Sequence, residues 1–155
     1  MDQSEQAEQR LTIAEVSARC GLPESTLRYW ERIGLVRPVA RDPSSGHRRY
    51  RPVEVAQLET LANLRAVGLS IEDMRVYLRQ NSRGDLAAAE QKSLFQAHAQ
   101  RLAAEMSALR IRRDYLELKV RYWSAREAGD LDQAAAIAAE LAPAIGKINP
   151  RRRDA

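Results

Sequence analysis

The sequence predicts an all-α, mainly helical fold with a small β wing: a helix-turn-helix, a basic hairpin, two further helices and one long helix. Three observations predict it. The 155 residues include two Trp, five Tyr, one Phe and seven Gly beside 45% hydrophobic and 30% charged residues, a balance that suits an ordered helical protein better than a β-sandwich or a nucleotide-binding α/β fold. Two short helical patterns flank Gly21 and lead into a segment of turn residues and arginines. From Leu86 to Trp123 there is neither Gly nor Pro, and apolar residues recur there with a seven-residue period.

Residues 1–10 are polar and predict a flexible N-terminus, and Leu11-Thr12-Ile13 predicts a short β segment or an entry turn. Thr12 and Glu15 have capping-box spacing, so a first helix over about 14–20 starts there, buries Val16 and stops at Gly21. Pro23 suits the first turn of a second helix, which ends at Gly34. Within it Leu27, Trp30 or Glu31, and Gly34 keep a 3-and-4 spacing that leaves Ser25, Arg28, Tyr29 and Arg32 outward, and Trp30 is expected towards the core. Val36 and Val39 flank basic positions, Asp42-Pro43-Ser44-Ser45-Gly46 is a turn cluster, and His47-Arg48-Arg49-Tyr50 returns, which reads as a hairpin with basic limbs. Pro52 opens a third helix, with Val55, Leu58, Leu61, Ala62 and Leu64 on its apolar positions. Ser70 and Asp73 repeat the capping pattern, and Ile71, Met74, Tyr77 and Leu78 give the fourth helix its apolar face. Asn81 to Asp85 reads as a linker, which closes a compact domain over 11–83.

The long helix is expected over 86–123. Phe95, Leu102, Leu109, Leu116 and Trp123 recur every seven residues, and Ala99, Met106, Arg113 and Val120 follow the first four by four. That is a coiled-coil seam, and the preceding residues offer no second helix of comparable length to cover it. Dimerisation through these residues is the expectation; packing along the N-terminal domain is the alternative. Arg113 weakens the apolar seam while fixing register or strand direction. After Gly129 an Ala-rich segment predicts a short C-terminal helix over 130–142, ending at Pro143, followed by a basic tail over 143–155.

The formal net charge is +4, yet Arg28, Arg32, Arg37, Arg41, Arg48, Arg49 and Arg51 face only Glu31 and Asp42 in that stretch. Arginine rather than lysine carries the charge, which suits phosphate and guanine; a GC-rich genome accounts for the usage equally well. A helix-turn-helix with a basic hairpin has a direct use on DNA. The second helix fits the major groove and the hairpin reaches the flanking backbone or minor groove. Arg28 would read guanine or clamp phosphate, Tyr29 would donate its hydroxyl to phosphate, and Arg41, Arg48 and Arg49 would act electrostatically.

Other classes find no support in the sequence. There is no nucleophile elbow, phosphate-binding glycine loop or paired-histidine motif, so no enzyme, cofactor or metal site is expected. Cys20 is a single cysteine, read as a small buried residue with a redox or alkylation sensor as the alternative. No apolar run approaches the ~20 residues of a membrane span, and the start MDQSEQAEQR has no signal-peptide core, so a cytoplasmic, nucleoid-associated protein without membrane contact is expected.

The runs LTIAEVSARCGLPESTLRYWERIGLVRP, SGHRRY and PVEVAQLETLANLRAVGLSIEDMRVYL resemble the MerR family of bacterial transcription regulators over about residues 11–80. The resemblance implies a winged helix-turn-helix and a dimer joined by an antiparallel coiled coil. It implies DNA contacts by Arg28 and Tyr29 in the recognition helix, by Arg41 and Arg48 in the wing, and by Arg65 late in the third helix. Gly46 matches the wing turn and Tyr50 the residue that closes the hairpin. His47 stands where the family usually has a wing Tyr, and Trp30 where Tyr is common. The candidate DNA-binding set is therefore Ser25, Thr26, Arg28, Tyr29, Arg32, Arg41, Gly46, His47, Arg48, Arg49, Tyr50 and Arg65. The implied partners are a palindromic operator in promoter DNA, a second copy of the chain and RNA polymerase at the same promoter. The implied mechanism bends and untwists an over-long promoter spacer, under a small-molecule signal of unknown identity. Residues 124–130, SAREAGD, supply none of the cysteines that the family's metal sensors use. An effector-independent architectural DNA binder and a coiled-coil interaction module are the alternatives.

Overall fold

In the computed structural model, which describes residues 10–148, the chain is mainly helical and divides into two compact units, Met1–Leu94 and Phe95–Ala155. The expected flexible residues 1–9 and the end of the basic tail, 149–155, lie outside the described residues.

The first unit holds α1 (Ile13–Cys20), α2 (Glu24–Arg32), α3 (Pro52–Ala66) and α4 (Ile71–Asn81). The capping box before α1 forms: the Thr12 amide donates to the Glu15 carboxylate at 2.7 Å, and the Glu15 amide donates to the Thr12 hydroxyl at 3.3 Å. Gly21 ends α1 in the left-handed region at φ 65°, where only a residue without Cβ sits unstrained. Its neighbour Leu22 receives the Ser17 hydroxyl on its carbonyl at 2.6 Å, which closes the turn into α2. Before α4, Ser70 and Asp73 form the second box, with the Asp73 amide 3.1 Å from the Ser70 hydroxyl.

Val16, Leu27, Trp30, Tyr50, Val55, Leu61, Leu69 and Met74 are nearly inaccessible and form one core with Leu35, Val36, Val39, Leu58 and Leu64. Trp30 lies inward, as its spacing predicts. Polar ties bind the helices around this core. The Arg19 guanidinium pairs with Glu59 between α1 and α3, and Arg75 of α4 donates to the Ile33 carbonyl at 2.7 Å, just past the end of α2.

The hairpin between α2 and α3 is minimal. Arg41 and Arg48 form one antiparallel bridge, and Leu11 and Tyr50 form another, with both backbone bonds between Leu11 and Tyr50 at 2.8–2.9 Å. Leu11 is thus the short β segment, paired with the returning limb of the wing.

The residues after α4 depart from the expected linker. Gly84–Ala87 form one 3-10 turn, and Ala87 is fully buried. The Gln91 side chain donates to the Tyr77 carbonyl at 3.0 Å, and Arg83 pairs with Glu90 at 2.8 Å. The first unit therefore reaches to Leu94 rather than ending near residue 83, because these contacts tie the start of the long helix to α4.

That long helix, α5, spans Ala88–Glu127, 40 residues or about 60 Å at 1.5 Å per residue. It starts two residues later than expected, after the 3-10 turn, and runs four past Trp123 because no breaker intervenes before Gly129. A turn follows, in which the Asp130 amide donates to the Ala125 carbonyl at 2.9 Å and the Asp130 carboxylate caps the Gln133 amide at 2.9 Å. The last helix, α6, spans Leu131–Ile148 with Pro143 inside it. The end expected at 142 is corrected: six residues assigned to the tail are helical. Pro143 forfeits the bond to the Ala139 carbonyl at a typical cost of about 3 kcal/mol. The stripe Ala134, Ile137, Leu141, Ile145 and Ile148 nevertheless continues across it at helical spacing. Ala134 and Ile137 are buried with Ala125 against Leu118 and Tyr122 of α5, which makes the α5–α6 hairpin the core of the second unit.

Candidate nucleic-acid interface

Helix α2 presents one face to the core through Leu27 and Trp30 and the opposite face to solvent. Ser25, Arg28, Tyr29 and Arg32 are exposed there, and Thr26 is half-buried. The guanidinium of Arg32 lies 5.4 Å from the centre of the Tyr29 ring, which holds both side chains on the open face. Arg28 pairs with Glu24 one turn earlier at 2.6 Å, with the two side chains 52% and 37% exposed. An exposed pair of this kind is worth roughly 0–1 kcal/mol, so Arg28 is readily exchanged onto a phosphate or a guanine.

The wing tip is preorganised. Asp42 accepts from the amides of Ser44 and Ser45 at 3.0 and 2.9 Å and from both hydroxyls. The hydroxyl of Ser44, then the Ser45 amide, hold its carboxyl well below the usual carboxylate range. Gly46 follows at φ 68°, and its carbonyl accepts from Arg41 at 3.0 Å. This turn exposes Arg41, Gly46 and His47, with Arg49 half-exposed beside Asp42 at 4.0 Å.

The wing and α2 meet over the start of α1. A groove of about 360 Å³ is lined by Thr12 to Ala14, Arg28, Arg41 and His47 to Arg49. Glu15 already occupies the amide end of α1 as a cap and is held ionised by the Thr12 amide, so the cationic side chains the groove can offer a ligand are those of Arg28, Arg41 and Arg49, while Arg48 is taken up by Glu31.

Two expected DNA-binding residues are placed differently from the rest. Tyr50 is 2% exposed, so it is corrected from a DNA contact to a core residue that pins the hairpin; burial pushes its phenol up from the ordinary value. Arg48 is turned from solvent onto Glu31 of α2 at 2.6 Å. Arg65, at the end of α3, is exposed and donates to the Leu69 carbonyl at 3.3 Å. The ion pair of Glu31 with Arg48 and the bond of Arg75 to the Ile33 carbonyl lie outside the expected site. The signal at Glu31 is that it and Asp42 are the two acids in the basic stretch from Arg28 to Arg51.

In the second unit the seam side chains line α5. Phe95, Leu102, Met106, Leu109, Leu116, Val120 and Trp123 are between 39% and 67% exposed, and Ala99 is exposed. Arg113 is bound on its own helix by Asp114 at 2.9 Å and Glu117 at 3.3 Å. Among the described residues no group of His, Cys, Asp or Glu is gathered as a metal site, and no helix is long and apolar enough to cross a membrane. Burial, and next the Glu59 charge, push the Cys20 thiol up, the opposite of an activated thiolate.

Comparison with known proteins matches residues 11–81 to the family described as MerR HTH family regulatory protein. The HTH-type transcriptional regulator AdhR of Bacillus subtilis is 37% identical over 59% of this chain and 65% of its own length, so the chain spans just under two thirds of that relative. The heavy metal-dependent transcription regulator 2 of Rhizobium meliloti is 30% identical over 64% of this chain and 67% of its own. Among solved structures, HiNmlR, a MerR family regulator lacking the sensor domain and bound to promoter DNA, superposes with a TM-score of 0.56. It is 27% identical and covers 79% of this chain and 98% of that chain.

Proposed function

We propose that this chain, which belongs to the MerR family of helix-turn-helix regulatory proteins, is a sequence-specific, DNA-binding transcription regulator that works as a homodimer. The observation that carries the reading is the arginine-lined groove where α1, the open face of α2 and the wing converge on one side of a rigid core. Arg28 reads a base edge or clamps phosphate, and Ser25, Thr26, Tyr29 and Arg32 serve the same major-groove face. Arg41, His47 and Arg49, set by the Gly46 turn, follow the backbone beside it, and Arg65 meets phosphate near the end of α3.

The seam from Phe95 to Trp123, with Ala99, Leu102, Met106, Leu109, Arg113, Leu116 and Val120, joins two chains in an antiparallel coiled coil. Its apolar side chains stand in solvent along a helix of some eleven turns, an arrangement that a second copy would bury. The division of labour is then a DNA-binding part in the first unit, a dimerisation helix and a C-terminal helix. Two copies bind a palindromic promoter site and bend and untwist its spacer, so that RNA polymerase engages both promoter elements. Smooth bending of such a site costs on the order of 1–6 kcal/mol, which the paired sets of phosphate contacts offset. A small-molecule signal acts by favouring one of two dimer geometries.

Competition between a selected operator and random duplex tests the reading. Arg28→Ala is expected to lower the preference for the operator by about 1–3 kcal/mol, or roughly five- to 150-fold. Full retention of preference would show that α2 is not the reading helix.

A further inference from the structure

Resting on the DNA-binding reading, we propose that Arg48 is a positioning residue, not a phosphate contact: through Glu31 it sets the angle of the wing against the recognition helix. The distinction lies in how its charge is held. Arg48 Nε stands 2.6 Å from Glu31 Oε2, and the two side chains are only 19% and 14% exposed. The pairs Arg28–Glu24 and Arg51–Glu54 are looser in this respect, with their arginines 52% and 58% exposed.

Successive side chains of an extended strand point to opposite sides. Arg48 therefore faces α2 while Arg49 faces away, beside Asp42. Drawing Arg48 off to a phosphate would leave a half-buried carboxylate without its partner, next to the negative backbone of the DNA. Removing one member of such a pair costs far more than breaking an exposed one. The pair therefore persists in the complex.

The wing needs that anchor. Its limbs are held by isolated bridges rather than a continuous ladder, and a hairpin so short is not stable on its own. Tyr50 and Leu11 fix one limb at its base, and buried Val36 and Val39 fix the other. Between base and tip, Glu31–Arg48 bridges the wing to α2, one turn beyond Arg28. It thereby sets the spacing between the reading residues of α2 and the wing's Arg41, His47 and Arg49.

A variant of unchanged net charge separates the two roles. In Glu31→Gln/Arg48→Gln the overall charge is that of the parent, so the salt dependence of binding reports lost phosphate contacts alone. The expected result is a log–log salt slope equal to the parent's, with the ratio of operator to random-duplex affinity reduced at least tenfold. Arg49→Gln, measured alongside, is expected to flatten the slope by about 0.9 per protomer. The charge-swapped Glu31→Arg/Arg48→Glu, which restores an ion pair, is expected to recover part of the operator preference, and it serves as the second variant where the glutamine pair folds poorly. A slope flattened in the glutamine pair as much as in Arg49→Gln would overturn the proposal, as would unchanged operator preference. Failure of the parent itself to prefer any duplex would refute the DNA-binding reading, and the positioning role with it.

Discussion

Replacing Leu109 and Leu116 by glutamate tests the seam on either side of Arg113. In the single chain these leucines are 59% and 62% exposed, so about three fifths of each side chain remains to be buried by a partner. Full burial of a leucine is worth about 1.5–3 kcal/mol, so each contributes roughly 0.9–1.8 kcal/mol to association. Two leucines in each of two chains then contribute about 4–7 kcal/mol. At ~1.4 kcal/mol per factor of ten, losing them weakens the dimer by about 10³- to 10⁵-fold, before repulsion among the new carboxylates is added. Sedimentation velocity over a concentration series reads the change directly. The parent is expected as a dimer at micromolar concentration, and the Leu109→Glu/Leu116→Glu protein as a monomer with unchanged helix content. A variant that stays dimeric at the parent's concentration would refute the seam assignment. Loss of helix content would instead show that these positions support the fold of the single chain.

Three other outcomes follow from the first unit. Trp30→Ala removes a side chain that is 2% exposed at the centre of the core and is expected to cost about 3–5 kcal/mol, read by urea denaturation of the isolated protein. The depressed Asp42 carboxyl stays ionised, and its hold on the wing turn stays intact, at all pH values above the usual carboxylate range; the hold is lost only as pH falls through its lowered value. Protection of the Ser44 and Ser45 amides from hydrogen exchange is therefore expected to be constant from pH 5 to 8 and to fall in Asp42→Ala; equal protection in that variant would contradict the capping role. Cys20, with its thiol pushed up by burial, is expected to react with iodoacetamide more slowly at neutral pH than an unfolded control, and a faster rate would reopen a sensor role.

The parts of this fold legible in the sequence are those written locally. Thr12 with Glu15 and Ser70 with Asp73 are three residues apart, Gly21 marks a left-handed turn, and the seam repeats every seven residues. Each of these signals is a property of one segment. The open face of α2 was legible for the same reason, since burying Leu27 and Trp30 decides where Arg28 and Tyr29 point. What escaped depends on segments meeting. Glu31 and Arg48 are 17 residues apart and Arg75 and Ile33 are 42 apart, and no spacing rule announces either contact. Tyr50 follows the wing arginines in sequence and the resemblance places it at the close of the hairpin, but pairing with Leu11 turns it into the core. Pro143 looked like a stop because its local cost is real, while the apolar stripe that runs across it is a property of the whole helix.

Selection of binding sites from random duplex DNA by the folded protein, followed by salt titration of the winning sequence, decides whether two chains read one operator. The expected result is a palindrome whose half-sites are occupied by two chains, with affinity falling steeply as salt rises. A folded dimer that enriches no motif, or binds every duplex alike, would contradict it.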